Sequence, residues 1–308
     1  MQIKREDIIK KFPWLIENNK KYIISSSYDG VICASFLNHF LNWELVGYYD
    51  FESLWISGDS FNFKEEIIWV DLNILPIKGR AIGGHIVSYN NQIPKGFSSS
   101  CNPNCIANLS SSDFKFKYPF STIIFLLWLH NIYVNANNES KFSILHADDV
   151  WLKFQKYNQN CSLWSKTLTN YNWESLFDGT TTKTFEKNIV ENFYPFYDKS
   201  GFTNTDGKIY SKFYNTKSKQ LCINPDWDED SILNLSNYFA EILGWTPFKL
   251  PDIAKRIDGT KHKVNLSHVK QIGLDNFIKK NKIFSYAITS SKILSYTVFK
   301  KMKKNPIQ

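Results

Sequence analysis

Nowhere does the 308-residue sequence approach the roughly twenty uninterrupted apolar residues that a membrane span needs. Its richest window, residues 120–134, is broken by Ser121, Thr122, His130 and Asn131 and reads as a buried helix. The opening MQIKREDIIKKFPW carries acids and lacks the apolar centre of a secretory signal, so the expected location is the cytoplasm, without membrane contact. Cysteine is scarce and odd in number: Cys33, Cys101, Cys105, Cys161 and Cys222. Thiols placed mostly in apolar segments suit a reducing compartment rather than a disulfide framework. The stretch CNPNC lacks the usual two-residue zinc spacing and has no second Cys/His pair to answer it, which leaves a structural turn. Internal repeats, low-complexity tracts and heptad arrays are absent. So is a Gly-x-Ser-x-Gly elbow, which removes the nucleophile reading of Ser25, Ser26 and Ser27.

What is present points to a globular chain long enough for two domains, with 43% apolar and 21% charged residues. Its charge is unevenly distributed. Residues 1–160 hold 15 basic and 15 acidic side chains, whereas residues 161–308 hold 22 and 14, so the whole net charge of +8 lies in the second half. An anionic partner, a nucleotide or nucleic acid, is expected to dock there. The plainer reading of Lys279, Lys280, Lys282 and the KKMKK tail is a solvated surface.

The first half alternates strand and helix patterns. Strands are expected at 22–26, 44–50, 65–72, 79–89 and 141–149, and helices at 31–43, after Pro119 and over 150–167. This alternation predicts an α/β domain over 1–168, a mostly parallel sheet with flanking helices and ligands outside the carboxyl ends of its strands. Residues 169–222, rich in Asn, Thr and Lys, read as a connector with irregular structure. Residues 223–308 read as a smaller, basic, mixed α+β domain. It opens with a helix over 224–245, with Asp228 or Asp230 as N-cap and Gly244 near its end, and closes with a hairpin turning at Ser290 and Ser291.

The expected strand ends carry the chemistry. The first delivers Asp29, the third Asp71, the fourth His85, and the last Asp148 or Asp149 with His146 just before. Carboxylates and an imidazole meeting on one sheet edge form a ligand set for Mn²⁺ or Mg²⁺, and an ion so held can activate water against a phosphoester. The same residues admit quieter roles: Asp29 as a helix cap, His85 as a satisfied core histidine, Asp148 or Asp149 as a cap for the helix at Val150. His39, His130 and His146 lie in apolar segments and read as core.

At these residues SSSYDGVICASFL, Asp71, GGHIV and HAD resemble, in order, the four motifs of the DHH phosphoesterase superfamily, over roughly residues 20–160. The superfamily includes exonucleases, oligoribonucleases and family II inorganic pyrophosphatases. The resemblance implies Asp29, Asp71, His85 and Asp148 as metal ligands, with Asp71 and His85 also catalytic. It also implies substrate contacts from Ser25, Ser27, Gly83 and Gly84. The family's glycine-rich phosphate loop has its nearest counterpart in the basic turn expected at RIDGTKHKV, with Lys261 and His262. Ser25 and Ser27 stand where the family has histidine and its first aspartate, and Gly83-Gly84-His85 or, shifted by one, Gly84-His85-Ile86 stands in place of Asp-His-His. One metal's ligands survive and the other's do not. Two readings follow: a metal-dependent phosphoesterase acting on a nucleotide, oligonucleotide or nucleic-acid end, or a catalytically inactive scaffold that binds a nucleotide or a protein partner.

Overall fold

The short apolar run Tyr22-Ile23-Ile24 becomes an interior strand of a sheet, paired on both sides and fully buried. A computed structural model of the protein describes residues 2–58, 67–72, 80–89, 93, 97–199, 203–226 and 228–300. The strands are β1 Lys21–Ser25, β2 Glu44–Tyr49, β3 Ser53–Ser57, β4 Ile68–Val70, β5 Arg80–Ile82, β6 Thr203–Tyr210, β7 Lys217–Cys222, β8 Ile253–Asn265, β9 Ser285–Ile288 and β10 Ile293–Phe299.

The chain groups into two units. The first, a sheet unit, comprises Glu17–Ser25, Trp43–Tyr118 and Pro251–Gln308. Its single sheet runs β5-β4-β1-β2-β3-β8-β10-β9. Pairing is parallel from β5 to β2 and antiparallel from β2 to β9, so the expectation of a mostly parallel sheet is corrected to three parallel and four antiparallel pairings. The physical reason is that β3, which no sequence signal marked, folds straight back on β2 across a tight turn. Asp50 Oδ1 caps that turn, accepting the Glu52 and Ser53 amides at 2.8 and 2.5 Å. Gly47 permits the close approach: a Cβ there would stand 2.2 Å from the Trp55 carbonyl oxygen. RIDGTKHKV is likewise not a turn but the middle of the long strand β8, which pairs first with β3 and then with β10. The expected terminal hairpin is present as β9 and β10. Two apolar clusters fill this unit, one around Tyr49, Trp69 and Phe284, the other around Phe97, Phe277 and Tyr286.

The second, a helical unit, comprises Met1–Ile16, Ser26–Asn42 and Pro119–Leu250. Helix Tyr28–Leu41 begins at Ser27, whose Oγ accepts the Gly30 amide at 3.0 Å, and the helix expected after Pro119 is Thr122–His130, buried along almost its whole length. Residues 141–149 are not a strand. Asn137 Oδ1 accepts the Ser140 amide at 2.8 Å and starts helix Asn138–His146, followed by the 3-10 turn Ala147–Asp149. The helix expected over 150–167 is two, Val150–Lys156 and Asn158–Thr167, parted at Tyr157. The stretch read as an irregular connector instead holds helices Trp173–Phe177, Lys183–Asn188 and Tyr194–Lys199 and the β6–β7 hairpin. Helix Glu229–Leu243 has Asp228 at its N-cap position and ends at Gly244, whose φ of 71° takes the left-handed region that glycine favours. No helix among the described residues is long and apolar enough to cross a membrane.

Candidate functional site

In the sheet unit, the parallel strands β1, β4 and β5 end side by side, and their carboxyl ends gather three of the residues singled out in the sequence. Asp71 directly follows β4. It is buried, and its φ of 56° places it in the left-handed region, at a cost of about 1–2 kcal/mol for a non-glycine residue. Its amide bonds to the Ile82 carbonyl of β5 at 2.9 Å, which holds the carboxylate at the sheet edge. Ser25, the last residue of β1, donates its hydroxyl to Asp71 Oδ2 at 2.5 Å, and His85 Nε2 lies 2.9 Å from Oδ1. An imidazole that donates Nε2–H to a buried carboxylate carries its lone pair on Nδ1, the atom then suited to accept a proton or to ligate a metal. The His85 side chain is partly exposed, at 27%, whereas Asp71 is at 3%.

The loop that carries His85 is held by a residue that sequence reasoning passed over. Asn104, fully buried in CNPNC, donates from Nδ2 to the carbonyls of Gly84 at 2.7 Å and Ile86 at 2.8 Å, and its Oδ1 accepts the Tyr118 amide at 2.6 Å. Asn102 Oδ1 accepts the Asn104 and Cys105 amides and caps the short helix Pro103–Ile106. CNPNC is thus the expected structural turn, and its purpose is to grip the backbone on either side of His85. The only sequence signal was two asparagines flanking a proline. The Gly83 amide bonds to the Cys101 carbonyl at 3.4 Å.

In the helical unit, Asp29 lies in the first turn of helix Tyr28–Leu41 but caps a different helix. Its Oδ2 accepts the Thr122 amide at 2.6 Å and its Oδ1 the Ile123 amide at 3.0 Å, at the positive end of helix Thr122–His130. Asp148 is at a helix end rather than a strand end. A carboxylate oxygen of Asp29 and one of Asp148 lie within 4.8 Å of each other, and Lys153 Nζ lies 4.0 Å from Asp148 Oδ2. Asp148 and Asp149 have φ of 54° and 55°, two consecutive left-handed residues without a glycine. Such conformations persist only where surrounding structure imposes them. Burial pushes the Asp149 carboxyl up to about 7, with Lys153 pulling it down and Asp148 pushing it up. Asp149 occupies the N-cap position of helix Val150–Lys156, yet its side chain makes no capping bond.

The remaining expected residues have clear local roles. Ser27 caps its helix. Lys261 and His262 are successive β8 residues, with Lys261 Nζ 5.7 Å from the Phe51 ring centroid and His262 stacked on Tyr296 at 5.1 Å. Three strands, β1, β2 and β3, separate β8 from β4 in the sheet, so these two residues stand apart from Asp71 and His85. Lys261 lines a cavity of about 170 Å³ together with Phe51, Ser285, Tyr286, Ser295 and Thr297. His146 is buried among Tyr28, Phe193, Tyr194 and Tyr197, and burial lowers it to about 3, so it is a neutral core residue.

The sheet unit presents Asp71 with His85, and the helical unit presents Asp29 with Asp148. Carboxylates with one imidazole suit Mn²⁺ or Mg²⁺ better than a soft ion. Comparison with protein-family models, curated proteins and solved structures finds no match for this chain.

Proposed function

We propose that the chain is a divalent-metal-dependent phosphoesterase-like protein acting on a nucleotide, oligonucleotide or nucleic-acid end, with Asp29, Asp71, His85 and Asp148 as the ligands of Mn²⁺ or Mg²⁺. The observation that carries this reading is the Asp71–His85 pair, 2.9 Å apart, on a buried aspartate held in left-handed backbone at the end of a parallel strand. Strain of this kind, together with a buried carboxylate that orients an imidazole, is characteristic of a working site. When bound, such an ion polarises a phosphoryl oxygen and lowers the pKa of coordinated water. Asp71 fixes the tautomer and direction of His85, Asn104 fixes the backbone that bears it, and Nδ1 of His85 is the atom that would ligate the ion.

A second reading has an observation in its favour. Ser25 and Ser27 occupy positions where the resembled family has ligands, and both hydroxyls have structural bonds: Ser25 to Asp71 and Ser27 to the Gly30 amide. That is the pattern of a site recast for binding. A screen of short oligonucleotides, cyclic dinucleotides and pyrophosphate with added Mn²⁺ separates the two. Turnover that disappears in Asp71→Asn supports the hydrolase. Mn²⁺-dependent thermal stabilisation with no turnover across the panel supports the binding protein, and the absence of any metal effect rejects the hydrolase.

A further inference from the structure

Glu186 is fully buried, and its carboxylate grips the loop that joins β6 to β7: Oε1 accepts the Lys212 amide at 3.0 Å, and Oε2 accepts the amides of Phe213 at 2.8 Å and Tyr214 at 3.1 Å. Burying a carboxylate is costly unless charge-assisted hydrogen bonds offset it, and here three successive backbone donors do so. Gln155 Oε1 also accepts the Lys212 amide at 3.0 Å. The loop ends are tied by Ser211 N to the Thr216 carbonyl and Thr216 N to Ser211 Oγ, both at 2.9 Å. The backbone is thus fixed in advance, while its large side chains face solvent: Tyr210 is 47% exposed, Phe213 49% and Tyr214 37%.

One exposed ring is ordinary; two on a pinned loop and a third on the strand residue that leads into it are not. Residues 208–219 hold four lysines and no acid. Lys212 Nζ lies 5.4 Å from the Phe213 ring centroid and Lys217 Nζ 5.7 Å from that of Tyr210, so cations and stacking surfaces alternate along the loop. Lys219 pairs with Asp198 at 2.7 Å. Aromatic faces take up unpaired bases of any sequence, and neighbouring cations meet the phosphates between them.

We propose that the β6–β7 loop is a docking surface for single-stranded nucleic acid, with bases stacking on Tyr210, Phe213 and Tyr214 and phosphates meeting Lys212 and Lys217. The proposal extends the function proposed above by naming its polymer partner, but it rests on the loop alone and is tested without metal. The probe is a fluorescently labelled oligothymidylate of about 20 nucleotides, titrated with the full chain in EDTA and followed by anisotropy. The wild type should bind it more tightly than a duplex of equal length. Phe213→Ala with Tyr214→Ala should weaken binding at least about fivefold, and Phe213→Tyr should retain it. Lys212→Gln should reduce the slope of log affinity against log salt by about 0.7. Tyr210→Ala serves as an independent variant, and an unchanged unfolding midpoint establishes that each variant is folded. No binding by the wild type, or unchanged binding in the folded aromatic variants, overturns the proposal. Loop-dependent binding to phosphatidylserine vesicles with oligonucleotide binding unaffected would also overturn it, in favour of a membrane surface. Mn²⁺ calorimetry on the double variant should match the wild type, so failure of the loop and failure of the metal site are read separately.

Discussion

Asp71 shows how much one side chain can organise. It follows a three-residue strand, turns into left-handed backbone, and receives a serine from one neighbouring strand while aligning a histidine carried beyond the other. A buried charge at a strand end was legible in the sequence, because IIWVDL places it there; its partners were not, because a serine and a histidine distant in sequence leave no periodic trace. Asn104 was the least legible. Asn104→Ala should leave two carbonyls and one amide without their buried partners and destabilise the fold by about 2–4 kcal/mol, measurable by urea unfolding. Any hydrolysis should fall with it, through a displaced His85. His130, half-buried at the end of helix Thr122–His130, supplies a pH signature. Burial lowers it from 6.5 to about 4, so the folded state resists a proton that the unfolded chain accepts between those values. Stability from this group is complete above pH 6.5 and is lost as pH falls toward 4, by at most about 3 kcal/mol. His130→Leu should flatten the acid limb of a melting-temperature profile over that window; an unchanged acid limb contradicts the assignment.

At the scale of elements, legibility followed apolar patterning. β1, β2 and the buried helix Thr122–His130 carry dense apolar runs and stand where the sequence placed them. β8 was missed because its outward-facing positions are almost all charged or polar; two neighbouring strands define it rather than its own pattern. Helix Asn138–His146 was read as a strand because FSILHA alternates loosely, while the decisive signal, the Asn137 cap, lies upstream. Gly47→Ala gives an element-level test. Its Cβ would meet the Trp55 carbonyl at 2.2 Å, so β2 and β3 must separate, at about 3 kcal/mol or more, read as a drop in the urea midpoint.

For the whole molecule, each unit is built from three separated stretches of chain, which no composition shift along the sequence announces. Residues 1–168 expressed alone would lack β8, β9 and β10 and leave β3 as an unpaired edge, so this fragment should fail to give the dispersed amide spectrum of a folded domain. The excess of basic charge in residues 161–308 was plain from the sequence, but which of those cations stand beside exposed rings depends on the hairpin loop that Glu186 holds. The central claim is that acids and a histidine from well-separated stretches serve one divalent ion. Calorimetric titration of MnCl₂ into the full chain, beside Asp71→Asn and Asp148→Asn, addresses it most directly. The account predicts saturable uptake near one ion per chain in the wild type and a loss of at least about tenfold in affinity in each variant. Absence of heat in the wild type, or equal affinity in all three proteins, would contradict it.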